Sequence, residues 1–310
     1  MAGLDILAMG EPLMEFAETQ RGDERLYLPG FGGDTSNLAI AAARQGARVG
    51  YFTHLGEDAF GREFLDLWDA EGVDRTSVVT RPGCRTGIYF IGYGPDGHHF
   101  SYVRDGSAAS RVGPADLPLD QIAAAGLLHV SGISQAISDS AADAVFAAIR
   151  HAKANGRLVS YDTNLRLALW PLDRARAVIH AAITGADVAR PGLDDARKLT
   201  GLQTPDEIAD FYLGLGCGLV AMTLGADGVL VATPSERRLV PARRVEAVDA
   251  SGAGDCFGGA FLAEWLAHRD PFRAADYANA AAALKTLGQG AVAPLPRRPA
   301  VEAFLAGRVS

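Results

Sequence analysis

The chain is 310 residues long, 48% hydrophobic and 21% charged, with a formal net charge of −8. That is enough chain for one large domain or a domain with an insertion. The acidic balance argues against nucleic acid as a main ligand, since a phosphate backbone needs a basic face. A local basic pocket could still hold a small anion.

In chain order, Leu4 to Met9 reads as a short buried strand, and Leu13 to Glu18 alternates as a half-exposed strand should. Arg25 to Leu28 could pair with it. Thr35 to Gln45 is helical, entered through Gly32-Gly33 and closed by Gly46. A strand at Ala47 to Phe52 and a helix from Ala59 to Ala70, ending at Gly72, follow. Thr86 to Tyr93 and His98 to Arg104 are strand-like, joined by the hairpin turn Gly94-Pro95-Asp96-Gly97. With the strands near 13–18 and 25–28 they could make a small separate sheet, with the wet, mixed faces of a lid over a cleft.

From Leu127 strands and helices alternate. Strands are expected at Leu127 to Ser131, Leu158 to Tyr161, near Asp187-Val188, and at Leu219 to Leu224 and Val229 to Ala232. Helices are expected from Ser140, with Asp143 as its capping-box partner, to Asn155-Gly156. Others fall at Asp173 to Ile183, near 193–199 and 205–214, and at about 254–267, 271–287 and 299–306. This alternation predicts a mostly parallel sheet covered on both faces.

Cys84, Cys217 and Cys256 are too far apart for a zinc site or a disulfide framework and read as reduced thiols in the cytoplasm. Met1 to Gly10 lacks the basic start and apolar length of a signal peptide. No run approaches the roughly 18 apolar residues that cross a membrane.

The most informative run is Val248 to Gly259. A helix starts there, and its first turn has free N–H groups and a partial positive charge. Gly252, Ala253 and Gly254 carry no side chain large enough to keep an anion away. Asp255 would repel a phosphate unless it has a task, and the natural one is to take a proton from an attacking hydroxyl. Gly252-x-Gly254-x-x-x-Gly258 also fits a loose dinucleotide fingerprint. Against that, no ribose-binding acid follows at a strand end, and Arg243 to Val248 makes a poor buried strand.

Ligands of open α/β sheets bind beyond the carboxyl ends of strands. Gly32 to Asn37, Asp162 to Arg166, Gly225 to Gly228 and Asp249 to Asp255 all follow strands. Arg166 could grip a carboxylate or phosphate in bidentate fashion, or form an ordinary salt bridge. Asn164 fits an Asx turn as well as a ligand contact. Tyr89, Tyr102 and Arg104 fall on the expected lid, and Tyr102 and Arg104 share a strand face, which suits a small acidic, hydroxylated ligand or a solvated lid face. His98 and His99 are expected to be exposed, and Trp68, Trp170 and Trp265 to pack.

This constellation resembles the ribokinase-like (PfkB) family of carbohydrate kinases over nearly the whole chain. One motif is the glycine pair with Asn37, Gly46 and Gly56; the other is Asp249-x-x-Gly252-Ala253-Gly254-Asp255. The resemblance implies a single domain over 1–310, with a three-layer α/β/α ribokinase-like fold. Its central sheet would be mostly parallel, with a small β-sheet lid from about 12–30 and 86–107. Asp255 would be the catalytic base, and the N–H groups of Gly252, Ala253 and Gly254 the anion hole. Gly33 and Asn37 would contact the sugar. Gly225 and Gly228 would lie along ATP, joined by Asn164, Arg166 and Thr223, with Asn279 near the adenosine. ATP and Mg²⁺ are the implied cofactors, and a monovalent cation stays open. The expected partners are small molecules, with no nucleic acid and no membrane, in a homo-oligomer.

Within the family the likeness is greatest to 2-keto-3-deoxygluconate kinases. It rests on Gly10-Glu11-Pro12-Leu13, Thr86-Gly87-Ile88-Tyr89, Tyr102-x-Arg104-x-x-Ser107-Ala108 and Asp162-x-Asn164-x-Arg166. In those enzymes the matching tyrosines and arginines hold a sugar acid. Tyr89, Tyr102, Arg104 and Arg166 would do so here. The alternatives are a kinase for a neutral sugar or nucleoside, a nucleotide-dependent oxidoreductase, and a non-catalytic sugar-acid sensor. Two positions depart from the family. Ala250 stands where Thr is usual, and Gly192-Leu193-Asp194-Asp195 replaces an Asn-x-x-Glu motif that organises Mg²⁺. Asp195 would then act through waters, which Mg²⁺ tends to keep.

Overall fold

The computed structural model describes residues 3–21, 24–94 and 97–308. The chain begins with β1 (Ile6–Met9), β2 (Leu13–Arg21), β3 (Glu24–Gly32), α1 (Asp34–Arg44), β4 (Val49–Phe52), β5 (His54–Gly56) and α2 (Ala59–Glu71). It continues through β6 (Val79–Arg81), β7 (Gly87–Gly94), β8 (Gly97–Val103), α3 (Leu119–Ala124), β9 (Leu127–Ser131), α4 (Gly132–Ala136), α5 (Asp139–Ala154) and β10 (Leu158–Asp162). Next come α6 (Leu172–Ile183), β11 (Val188–Arg190), α7 (Leu193–Thr200), α8 (Pro205–Gly214), β12 (Leu219–Thr223), β13 (Val229–Ala232) and β14 (Arg237–Val240). The last helices are α9 (Ala253–His268), α10 (Pro271–Lys285) and α11 (Arg298–Leu305).

Eight strands form the main sheet in the order β14-β13-β12-β11-β10-β9-β1-β4. The pairs from β12 to β4 are parallel. At the other edge β13 and β14 turn back antiparallel. Alternate residues of each strand feed opposite faces. In β1, Ile6 and Ala8 join one core with Leu38, Trp68 and Phe261, while Leu7 and Met9 join the other with Val145, Ile179 and Ile208. Two buried faces explain why these strands read as continuous apolar runs. Each fully buried large side chain contributes about 1.5–3 kcal/mol. The result is the expected three layers.

Helix α9 is apolar nearly all round, as a helix packed on several sides must be. It lies against α1, and Gly259 sets how close. A Cβ there would sit 2.5 Å from the Leu38 carbonyl oxygen and 2.7 Å from the Ala41 Cβ.

A second sheet runs β3-β2-β7-β8. It contains the four strands expected of the lid, with Tyr89 paired across to Glu15 on one side and to Tyr102 on the other. Pro95 and Asp96 of the expected turn, and the side chain of His98, lie outside the described residues. His99 is exposed. Trp68 is fully buried, its indole N–H donating to Ser36 Oγ at 3.0 Å.

Some local expectations fail. Helix α5 starts at Asp139, not Ser140, because Ser138 has the extended backbone of an N-cap and accepts from the Ala141 N–H at 3.0 Å. Strand β14 escapes a reading of apolar pattern because two of its four residues are arginines. The three-residue pair β5 and β6 is too short to show a period.

Candidate active site

A cleft of about 790 Å³ opens at the carboxyl ends of the main-sheet strands, under the small sheet. Gly252 caps α9 with φ of +71°, a left-handed conformation that glycine adopts freely. Its loop is clamped from below. The Asp249 carboxylate accepts from the Ser251 and Gly290 N–H groups, each at 2.8 Å, and the buried Lys285 ammonium donates to the Asp249 carbonyl at 2.8 Å. The Ala253 N–H is taken up by the Ala250 carbonyl at 3.1 Å. Among the described residues the Gly254 and Asp255 N–H groups have no backbone partner. A Cβ on Gly254 would meet nothing within 4 Å among the described residues, so no side chain crowds this side of the turn.

Asp255 projects from the first turn of α9 into the cleft. Its Oδ2 accepts from the Asn37 amide at 2.8 Å. Burial and the Asp34 carboxylate, with Asp162 beyond it, push the Asp255 carboxyl up to about 7. The Asn37 amide and the Arg190 guanidinium act the other way. Asn37 Oδ1 is buried with no partner among the described residues, which leaves an acceptor beside Asp255.

Three more carboxylates crowd the same floor. Asp162 ends β10, and burial pushes its carboxyl up to about 6 although Arg190 lies 3.3 Å away. Asp34 accepts from the Asn164 amide at 2.8 Å. Asn164 stands at φ of +26°, held by its N–H bond to Asp162, in an Asx turn that asparagine tolerates. Asp195 accepts from the Leu165 N–H at 3.0 Å through Oδ2, and burial raises its carboxyl.

The small sheet roofs the cleft with aromatic faces. Tyr89 and Tyr102 stack with centroids 5.8 Å apart, and the Arg104 guanidinium lies 5.5 Å from the Tyr102 ring. Tyr102 is 41% exposed and Phe100 50%, which is unusual for aromatics lining a pocket and leaves them free to cover a ligand. Tyr89 donates to the Glu15 carboxylate. Arg104 is engaged too: its Nε donates to the fully buried Glu11 at 2.8 Å, and Ser107 donates to the other Glu11 oxygen at 2.5 Å.

The profile of the pfkB family carbohydrate kinases matches residues 5–298. The chain belongs to this family. It is an ATP-dependent carbohydrate kinase, and the dinucleotide reading of its glycine run falls away; no strand occupies 241–252 to make the required βαβ unit. The kinase is 37% identical to the 2-dehydro-3-deoxygluconokinase of Thermoproteus tenax, over 96% of this chain and 93% of that one. It is 32% identical to the enzyme of that name from Bacillus subtilis, over 98% and 96%. It is also 34% identical to the probable fructokinase-4 of Arabidopsis thaliana, over 97% of each. Among solved structures, a PfkB protein from Polaromonas sp. JS666 superposes with a TM-score of 0.88 at 32% identity, covering 97% of this chain and 100% of that one. A putative ribokinase II from E. coli, in complex with ATP and Mg²⁺, superposes at 0.90 with 26% identity over 98% and 99%. The fold is therefore ribokinase-like.

Of the residues singled out by sequence, Gly33, Asn37, Tyr89, Tyr102, Arg104, Asn164, Arg166, Asp195, Thr223, Gly252, Gly254 and Asp255 all line this cleft. Ala253, Gly225, Gly228 and Asn279 do not. Gly228 and Asn279 meet elsewhere, at the backbone of Val240 and Pro241. The Asn279 amide donates to both carbonyls at 3.1 and 3.0 Å, and a Cβ on Gly228 would lie 2.2 Å from the first. Sequence reasoning placed Glu11 and Asp162 in motifs and Asp34 and Asp162 in strand-end segments without giving them a role, and passed over Glu15 and Arg190. Their signal lies in pairings between distant segments.

Among the described residues no group of three or more His, Cys, Asp or Glu is arranged to hold a metal ion. Mg²⁺ needs few protein ligands when waters and phosphates supply the rest. Asp195, with one oxygen bonded to a backbone N–H, suits that arrangement. No helix among the described residues is long and apolar enough to cross a membrane.

Proposed function

We propose that this kinase transfers the γ-phosphate of ATP to the primary hydroxyl of a keto-deoxy sugar acid, 2-keto-3-deoxygluconate, giving its 6-phosphate. The observation that carries the substrate choice is Arg166. It stands exposed on the cleft wall, forms no ion pair among the described residues and has only the Leu165 carbonyl as a partner, at 2.9 Å. A cleft so rich in carboxylates would repel an acidic ligand unless a cation were reserved for it. Arg104 is offset by Glu11 and adds a donor more than a charge. A neutral ketose has no use for Arg166.

In this reading Asp255 takes the proton from the attacking hydroxyl, and Asn37, with Gly33 beside it, holds the sugar. The open N–H groups of Gly254 and Asp255 receive the charge that builds on the phosphate, whereas the Ala253 N–H is held by the Ala250 carbonyl. Thr223 and the turn of Gly225 and Gly228 border ATP. Asn279 acts toward the adenosine by holding the chain at Val240 and Pro241. Mg²⁺ would be held by the ATP phosphates and by waters on Asp195, and when bound it neutralises phosphate charge. Tyr89 and Tyr102 would close over the sugar with their sheet and exclude water.

The relatives include fructokinases as well as 2-dehydro-3-deoxygluconokinases, so a neutral-sugar kinase is the competing reading. A coupled ADP-release screen over sugars and sugar acids tests the choice. A kcat/KM for fructose equal to that for the acid would overturn it.

A further inference from the structure

Arg190 neither takes the proton nor holds the sugar acid in the proposed reaction, yet it occupies a costly position. It ends β11, is 4% exposed and lines the cleft. Its Nη2 donates to the Gly254 carbonyl at 3.0 Å and lies 3.3 Å from Asp162 Oδ2. Its Nε and Nη1 are buried with no partner among the described residues. A guanidinium in this setting is expensive to desolvate. The chain also makes room for it. A Cβ on Gly258 would lie 2.0 Å from Nη2 and 2.1 Å from Cζ, so any side chain there would push the guanidinium out of its place.

We infer that Arg190 is a positioning residue for phosphoryl transfer: it grips the first turn of α9 through the Gly254 carbonyl and ties it to Asp162, so that Asp255 and the Gly254–Asp255 peptide face the reacting phosphate. The Gly254 carbonyl and the Asp255 N–H belong to one peptide unit. A cationic donor on the carbonyl polarises that unit and strengthens its N–H toward an anion. The same guanidinium favours Asp255 as a carboxylate. It works there with the Asn37 amide, and with Lys285 of α10 farther off, against Asp34 of α1 and Asp162 of β10; Tyr89 of β7 also faces Asp255, and the two resist being charged together.

The inference rests on Asp255 as the base, so Asp255→Asn is assayed beside the Arg190 variants. Arg190→Met is expected to lower kcat about 10- to 100-fold, with KM for ATP changed less than about threefold. The acid limb of kcat/KM should move up by about half a pH unit or more, free guanidinium ion should restore part of the rate, and Arg190→Lys should keep the wild-type limb. Kcat within about threefold of wild type and an unmoved limb would overturn the inference. So would a fall in kcat with no shift of the limb and no rescue, which marks a purely structural residue. If Arg190→Met does not fold, Gly258→Ala decides, because it displaces the guanidinium without deleting it. A comparable loss of kcat with ATP binding kept supports the inference, and wild-type kcat overturns it. An active Asp255→Asn overturns the base assignment and this inference together; an inactive one beside an unaffected Arg190→Met overturns this inference alone.

Discussion

The Asn37 amide nitrogen lies 2.8 Å from Asp255 Oδ2, joining positions 218 residues apart. One residue comes from the glycine-pair motif that opens α1 and the other from the glycine run that opens α9. The contact exists because α1 and α9 lie close, and they lie close because Gly259 has no side chain. The bond orients Asp255 and favours its charged form, while Asp34 on the same helix opposes that charge.

Asp255→Asn should abolish phosphoryl transfer while leaving ATP binding nearly intact. Loss of a general base costs roughly 10²–10⁴-fold. Because the wild-type carboxyl is pushed up to about 7, kcat/KM should fall below that pH as the base takes up its proton. Steady-state rates from pH 5.5 to 9 and ATP titration by calorimetry check both. A variant within about threefold of wild type would remove Asp255 from the mechanism.

The same displacement has a stability counterpart. The folded state binds the Asp255 proton more tightly than the unfolded chain, whose carboxyl titrates near 3.8. The stabilising contribution is complete below that value and is lost as pH rises through about 7. Asp162, pushed up to about 6, acts in the same sense. Asp255→Asn should therefore melt higher than wild type at pH 8, by a few degrees at about 2–4 °C per kcal/mol. Near pH 4 the gain should vanish. A gain that grows toward acid pH would contradict the assigned direction.

Gly259→Ala should harm both fold and catalysis. Its Cβ would lie within 2.7 Å of Leu38 and Ala41 atoms, so α1 must move off α9. Overpacking of this kind costs typically 1–3 kcal/mol. The Asn37–Asp255 bond should stretch with it, so kcat should fall beyond what the lower Tm explains. An alanine variant with normal kcat and lowered Tm would show that the site tolerates the shift.

The parts of this site that could be read from sequence are those whose signal is backbone. Gly252 and Gly254 mark a helix start open to an anion wherever they occur, and Asp255 is conspicuous against it. The Arg190 pairing could not be read, because its only local sign is Gly258, which also passes for part of a dinucleotide fingerprint. Glu11 and Arg104 are 93 positions apart, and neither announces the other. The core strands were legible because burial on both faces demands unbroken apolar runs, whereas Arg237 and Arg238 disguise β14 at the sheet edge.

The small sheet should close when sugar binds. Phe100 and Tyr102 are exposed on its cleft side, and closure would bury them. Amide exchange in β7 and β8 should slow on adding the sugar acid, and mass-spectrometric exchange on peptides spanning them would read it. No change at saturating ligand would count against a lid.

Substrate choice can be tested at Arg166 more cleanly than at Arg104. Removing Arg104 would leave the Glu11 carboxylate buried without its cation, a loss that lowers stability whatever the ligand. Arg166 forms no ion pair among the described residues, although its charge favours the Asp195 carboxylate, so Arg166→Ala should cost less Tm than loss of Arg104. A charge-assisted bond is worth about 1.5–3 kcal/mol, which predicts a loss of roughly 10- to 150-fold in kcat/KM for 2-keto-3-deoxygluconate. ATP affinity should change far less. The wild type should prefer the acid strongly over fructose, and Arg166→Ala should narrow that gap by weakening the acid alone. Equal losses on both sugars would instead place Arg166 on the nucleotide side of the cleft. A wild type that uses fructose as well as the acid would leave the family intact and move the substrate to a neutral sugar.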